Sequence, residues 1–156
     1  MQIKEKYYKK VEYLLYNYNM FKIAIDNIES QIDFLEKSKD IRDISAIKYD
    51  EPAISKTYKF SSIVEDKALG IGEKIHYLER SIGNMQSRVN SIDNAMGGLT
   101  EIERTVITEK YIKGKQWWQV SGVVRYSERH CRNIRTDAIK KLAIGIFGEG
   151  VIETQS

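Results

Sequence analysis

The strongest constraint on this 156-residue chain is a seven-residue repeat of apolar positions that runs twice. In the first segment Ile3, Tyr7, Val11, Leu14, Tyr18, Phe21, Ile25, Ile28, Ile32 and Leu35 follow one another at steps of four and three. In the second, Ala68, Ile71, Ile75, Leu78, Ile82, Met85, Val89, Ile92, Met96 and Leu99 do the same. Steps of three and four return an apolar side chain to one narrow stripe of an α-helix, and a strict seven-residue repeat implies a left-handed supercoil. Neither stripe can be buried by its own helix. The nearest partner for each is the other, so residues 1–98 are expected to form a long antiparallel helical, coiled-coil hairpin. Pairing of each stripe across two chains is the competing arrangement, and the two can coexist.

The chain has a single proline, Pro52, between the two repeats. Long helices are therefore permitted on either side of it. A linker at about 40–61 is expected to reverse the chain. It is rich in apolar residues (Ile41, Ile44, Ile47, Tyr49, Ile54, Tyr58, Phe60) and is read as packing on the hairpin rather than as a tether. The second helix is expected over roughly 62–95. Gly70, Gly72 and Gly83 each weaken it by about 1 kcal/mol relative to alanine and predict a frayed or kinked start. Gly97-Gly98 should end it, one of them at positive φ, and marks the domain boundary. Tyr8, Tyr13 and Tyr16 fall off the first stripe and hint at a second contact face.

Beyond the glycines the periodicity changes. Thr100 and Glu103 form a capping-box pattern, so a helix starts there with Ile102, Val106, Ile107 and Tyr111 inward and Gly114 at its end. Residues 117–124 read as a short second helix, Arg125-Tyr126 as a tight turn, and Ser127 as the N-cap of a third helix reaching Phe147. That helix carries Cys131, Ile134, Ala138, Leu142 and Ile146 along its inner face. A helix, a short helix, a turn and a capped helix outline a helix-turn-helix domain over 99–148, with 149–156 as a tail.

Charge gives this outline chemical meaning. The whole chain is only +3. Yet residues 110–141 hold nine Lys or Arg (Lys110, Lys113, Lys115, Arg125, Arg129, Arg132, Arg135, Lys140, Lys141) against Glu128 and Asp137. A double helix of DNA is the partner such a patch suits. Arginine reads guanine O6 and N7 with two bonds, asparagine reads adenine N6 and N7, and other cations neutralise phosphates. The expected DNA-binding residues are Lys115, Trp118, Arg125, Ser127, Glu128, Arg129, His130, Arg132, Asn133, Arg135, Thr136 and Lys140. Of Trp117 and Trp118, one is expected in the core and the other at the surface.

Other chemistry lacks residues. Two histidines (His76, His130) and one cysteine (Cys131, on an inward face) offer no catalytic or metal-ligating set, and no glycine-rich stretch carries the Lys-Ser/Thr of a phosphate-binding loop. The expectation is a non-enzyme without cofactor or metal. No apolar run approaches the ~20 residues of a membrane span, and no signal-peptide pattern opens the chain, so a cytoplasmic location without membrane contact is expected.

Specific residues add a resemblance. Leu99-Thr100-Glu101-Ile102-Glu103-Arg104, Tyr111-Ile112-Lys113-Gly114, Tyr126 to Ile134 and Ala138-Ile139-Lys140-Lys141-Leu142 together resemble region 4 of bacterial sigma factors. With the coiled arm and the link containing Tyr49-Asp50 and Ser55, the whole chain resembles the phage-encoded ArpU/RinA-like transcriptional regulators. The resemblance implies a sequence-specific activator of late phage genes that binds near promoters. It points to Glu128, Arg129, His130, Arg132 and Asn133 as base readers. Sigma factors commonly carry Arg where this chain has Glu128, so the preferred DNA sequence does not carry over. RNA polymerase is a further implied partner, and a homo-oligomer through the arm would raise effective DNA affinity. Two other functions fit the same outline: a phage terminase small subunit recognising a packaging site, and a module that binds polymerase or a sigma factor.

Overall fold

A computed structural model describes the backbone of residues 1–48 and 57–154 and the side chains of 1–40 and 70–154. Pro52 and the apolar side chains of the expected linker lie outside the described residues. The protein is all-helical. Among the described residues there is no strand, only an isolated antiparallel bridge between Ile3 and Ile152. Among the described residues six α-helices follow one another: α1 (Glu5–Tyr16), α2 (Tyr18–Lys48), α3 (Thr57–Met96), α4 (Glu101–Ile107), α5 (Trp117–Val124) and α6 (Glu128–Phe147). A π-helical turn (Thr108–Ile112) extends α4, and a 3-10 turn (Glu149–Val151) follows α6. The two long helices reach into the expected linker from both sides, so residues 40–48 and 57–61 are helix rather than connection. Helix α3 also runs unbroken through Gly70, Gly72 and Gly83. About three glycine penalties are thus absorbed over a helix of 40 residues.

The compact units divide elsewhere than at the glycine pair. Residues 1–22 and 86–156 form one unit, and residues 23–85 the other. In the second unit the stripes supply the inside: Ile25, Ile71 and Leu78 are buried, and Ile28, Ile32, Leu35, Ile75 and Ile82 are half-buried. In the first unit α1 is not part of an arm. It packs on α6 and on the π-helical turn. Val11, Leu14 and Leu15 are its buried residues, and Leu15 lies off the seven-residue stripe. Asn17 interrupts the helix for one residue between α1 and α2.

The off-stripe tyrosines explain the second face. Tyr16 meets Tyr111 with the rings tilted and their centres 4.7 Å apart, and Tyr13 meets Phe21 edge-on. Glu12 accepts a hydrogen bond from Tyr111 Oη (2.8 Å), and Asn19 Nδ2 donates to the Ile112 carbonyl (3.0 Å). Tyr18 Oη donates to Asp93 (2.6 Å), and that bond pushes its phenol up to about 12. The tail is likewise part of the unit. Val151 is buried, Lys4 N donates to its carbonyl (3.0 Å), and Glu153 N donates to Gln2 O (3.0 Å).

Helix α6 is the axis of this unit, because α1, α4, α5 and the 3-10 turn all pack on it. It therefore buries more than the single face read from the sequence. Cys131, Ala138 and Leu142 are buried, but so are Ile139 and Ala143, while Ile146 is only half-buried. Near its end Gly145 lies against α3, where a Cβ would sit 3.1 Å from that of Ala95. Two details of α3 and α4 also differ from expectation. Neither Gly97 nor Gly98 takes positive φ; α3 ends through Gly97 N to Asp93 O and Gly98 N to Ala95 O bonds. Ile102 is exposed rather than inward, because α4 turns Val106 and Ile107 to the core.

Candidate nucleic-acid interface

The candidate interface stands on α4, α5 and the first half of α6. Helix α4 begins as its sequence requires: Thr100 Oγ1 accepts from Glu103 N (3.3 Å), and Glu103 Oε2 accepts from Thr100 N (3.1 Å). The other Glu103 oxygen accepts from Lys141 Nζ at 2.7 Å, which ties α4 to α6. Gly114, at φ +68°, supplies the left-handed residue that ends the π-helical turn. Gln119 Oε1 then accepts from Gln116 N (2.9 Å) at the start of α5.

Three residues join α5 to α6. Arg125 closes α5 in the left-handed region (φ 61°, ψ 36°), and its N–H reaches Ser121 O (2.8 Å). Ser121 Oγ donates to the Tyr126 carbonyl, which holds the turn from inside. Ser127 Oγ accepts from His130 N (3.1 Å) and caps α6. Beneath the turn Val106, Val120 and Cys131 form a fully buried cluster, with Trp117, Val124 and Ile134 against it. Burial pushes the Cys131 thiol up, consistent with a packing role.

Arg125 is the only non-glycine residue with positive φ among the described residues. A side chain in this region is strained by about 1–2 kcal/mol, and strain of this kind persists where another benefit retains it. Arg125→Gly is therefore expected to raise stability by about 0.5–1 kcal/mol in a urea melt while removing an exposed cation beside α6. A melt that shows lower stability would mean that the arginine side chain itself holds the turn.

The expected site residues separate into two groups. Arg125, Arg129, His130, Arg132 and Asn133 are exposed, and Trp118 is 67% exposed. On α6, residues 129, 132, 133, 136 and 140 recur at helical spacing and so share one face. The other expected residues are partly buried or held by neighbouring groups. Ser127 Oγ is occupied by capping, and Thr136 Oγ1 donates to Arg132 O (3.0 Å). Glu128 lies half-buried, 3.9 Å from Arg132. Lys140 is half-buried. Arg135 donates to Tyr111 Oη (3.4 Å) and lies over the Trp117 ring, 5.1 Å from its centre.

Lys115 is bound to a residue that the sequence window missed. Glu109, one position outside the basic stretch, is buried and pairs with Lys113 (2.7 Å) and Lys115 (2.5 Å). Glu103 similarly takes Lys141. Three of the nine cations in 110–141 thus have carboxylate partners from just upstream. The positive surface is narrower than the charge count implied and centres on the turn and the start of α6. A buried acid followed at the fourth and sixth positions by lysines was the available signal.

Hydrogen bonds from Lys113 and Lys115 hold the Glu109 carboxyl below its ordinary 4.5. A folded-state value below the unfolded one adds stability above the unfolded value, and that stability is lost as pH falls through the folded value. Glu109→Gln is expected to cost about 1–2 kcal/mol at neutral pH, with the partly exposed lysines keeping the effect modest. The difference from the parent should shrink as pH falls below 4.5, toward the depressed folded value. An equal difference at both ends of that range, in urea melts, would exclude the ion pairs as its cause.

Lys110, Arg132 and Arg135 all lie 5.0–5.6 Å from the centre of the Trp117 ring. The tryptophan, half-buried against the cluster below, thus lies under the guanidinium groups of two α6 arginines. Of the exposed apolar residues on α5 and the turn, Trp118 is the one expected at the surface, while Val123 and Tyr126 gave no periodic signal; His130 meets Tyr126 edge-on at 4.7 Å. Among the described residues no group of three or more His, Cys, Asp or Glu is placed to hold a metal ion. No helix among them is long and apolar enough to cross a membrane.

The family described as Protein of unknown function (DUF722) matches residues 7–144. The chain belongs to the DUF722 family. The match begins within α1 and ends within α6, so this DUF722 chain carries the family's extent across both compact units. No curated protein and no solved structure matches it.

Proposed function

We propose that this chain is a sequence-specific DNA-binding transcriptional regulator, in which a coiled-coil hairpin of α2 and α3 accompanies a helix-turn-helix formed by α5, the Arg125–Ser127 turn and α6. The observation that carries the reading is the two-sided character of α6. Cys131, Ala138 and Leu142 anchor one side in the core, while Arg129, His130, Arg132 and Asn133 are exposed at its capped start. A rigidly seated helix presenting Arg and Asn near its N-terminus is what major-groove reading requires. The exposed Arg125 supplies a phosphate contact at the turn. The resemblance to sigma region 4 and to ArpU/RinA-like regulators supports activation of late phage genes as the biological setting.

Footprinting on promoter regions of the source genome, at stated salt, tests the proposal. The expected result is a protected site beside a promoter whose transcription rises with the protein. Protection only at a packaging site would transfer the reading to a terminase small subunit. Absence of any protected site would remove both.

A further inference from the structure

A groove in the first unit lies between α1, the end of α3 and the end of α6. It has a volume of about 540 Å³ and is lined by Lys10, Tyr13, Leu14, Ser87, Arg88, Ser91, Ile146 and Phe147. That volume falls in the range of sites that take a ligand or a side chain from a partner. Its walls are apolar (Leu14, Ile146, Phe147), and its cations rest on aromatic rings. Lys10 lies 5.9 Å from the Phe147 ring centre and Arg88 5.9 Å from that of Phe21. Among the described residues no carboxylate forms an ion pair with Lys10 or Arg88. The groove therefore suits an apolar side chain accompanied by an acid.

The same chain presents such a group. Phe34 is 70% exposed, the highest value among the large apolar side chains described. It belongs to an outer stripe of α2, with Met20 and Ile23, on the side away from the buried Ile25, and it lines a small hollow with Leu35 and Lys74. Exposed Asp26 and Asp33 run alongside that stripe, and among the described residues neither forms an ion pair with a lysine or arginine. An exposed phenyl ring on a rigid helix loses little freedom on docking, and a central aromatic is the usual anchor of an interface.

We propose that a second copy of the chain docks in this groove, with Phe34 seated between Leu14, Ile146 and Phe147 and its neighbouring aspartates facing Lys10 and Arg88. The knob belongs to residues 23–85 and the groove to the other unit, so each can be altered without the other. It does not depend on DNA binding.

Sedimentation velocity on the full chain, across the micromolar range, tests this directly. The parent self-associates, less at high salt because part of the attraction is between exposed charges. Phe34→Ala, Arg88→Glu and Lys10→Glu each weaken association at least about tenfold. All three side chains are exposed, and an unchanged far-UV circular dichroism spectrum checks that the variants fold. Mixing Phe34→Ala with Arg88→Glu then restores a one-to-one complex, since the first keeps its groove and the second its knob. A parent that stays monomeric overturns the proposal. So does association that survives the single changes, or a mixture that restores nothing.

Discussion

Replacing Arg132 and Asn133 together by alanine is expected to abolish sequence-specific DNA binding while leaving the chain folded. Both side chains are exposed on the outer face of α6, one and two residues beyond the buried Cys131. A two-bond contact from either to a base edge is worth about 1–3 kcal/mol of discrimination, so each loss weakens specific binding roughly tenfold or more. The cost to the fold is small, because surface changes usually stay within about 0.5 kcal/mol. Arginine also forfeits its place over the Trp117 ring, 5.6 Å from the centre, a contact worth about 0.5–1 kcal/mol at an exposed site. A gel-shift titration on the protected fragment, with a thermal melt beside it, reads the two effects separately. Arg125→Ala offers the contrast: a lost phosphate contact should weaken binding on all sequences and flatten the salt dependence by about one counterion. If the double variant binds its fragment as the parent does, α6 is not the reading helix.

Leu15→Ala is expected to produce the largest loss of stability, about 2–5 kcal/mol. Leu15 is fully buried in the first unit, where α1 packs on α6, so the truncation leaves a cavity that the surroundings fill only in part. Ile28→Ala, on the seven-residue stripe but only half-buried in α2, should cost far less, about 1 kcal/mol. For a chain of this size each kcal/mol lowers the melting temperature by about 2–4 °C, so the first change costs about 4–20 °C and the second about 2–4 °C. The comparison distinguishes two pictures of the molecule. If residues 1–35 were one uninterrupted coiled-coil strand, Ile28 would matter and Leu15 would be a surface residue. The opposite order of effects would therefore overturn the docking of α1 on α6.

Local signals were legible because they depend on neighbours in the chain. Thr100 and Glu103 satisfy each other's backbone within one turn, and Ser127 caps α6 by the same chemistry. Gly114 stops its helix at positive φ as its type predicts, whereas Gly97 and Gly98 stop theirs without it. The sequence implies that one of Trp117 and Trp118 packs inward, since adjacent helical residues point about 100° apart; the structure makes Trp117 the inner one and Trp118 the outer. The candidate face on α6 was legible for a similar reason: charge and core alternate along one helix. Its true strength was not, because Glu103 and Glu109 lie outside the basic stretch yet reach back to Lys141, Lys113 and Lys115.

The sequence by itself determined that the chain is helical, where the caps fall and which stripe of each long helix is apolar. Those follow from the step of the chain around a helix axis and from hydrogen bonds a few residues long. Only the tertiary structure decided which helix each stripe meets. Val11 and Phe21 share one stripe, but α1 leaves the arm at Asn17 and rests on α6, so Leu15 is drawn into the core and the two termini are joined at Ile3 and Ile152. An apolar stripe records only that it must be buried; the partner is chosen by shape and by distant groups such as Glu12, Tyr111 and Arg135. For the same reason the sequence marks nine cations, and the folded chain leaves the turn and the start of α6 to present them.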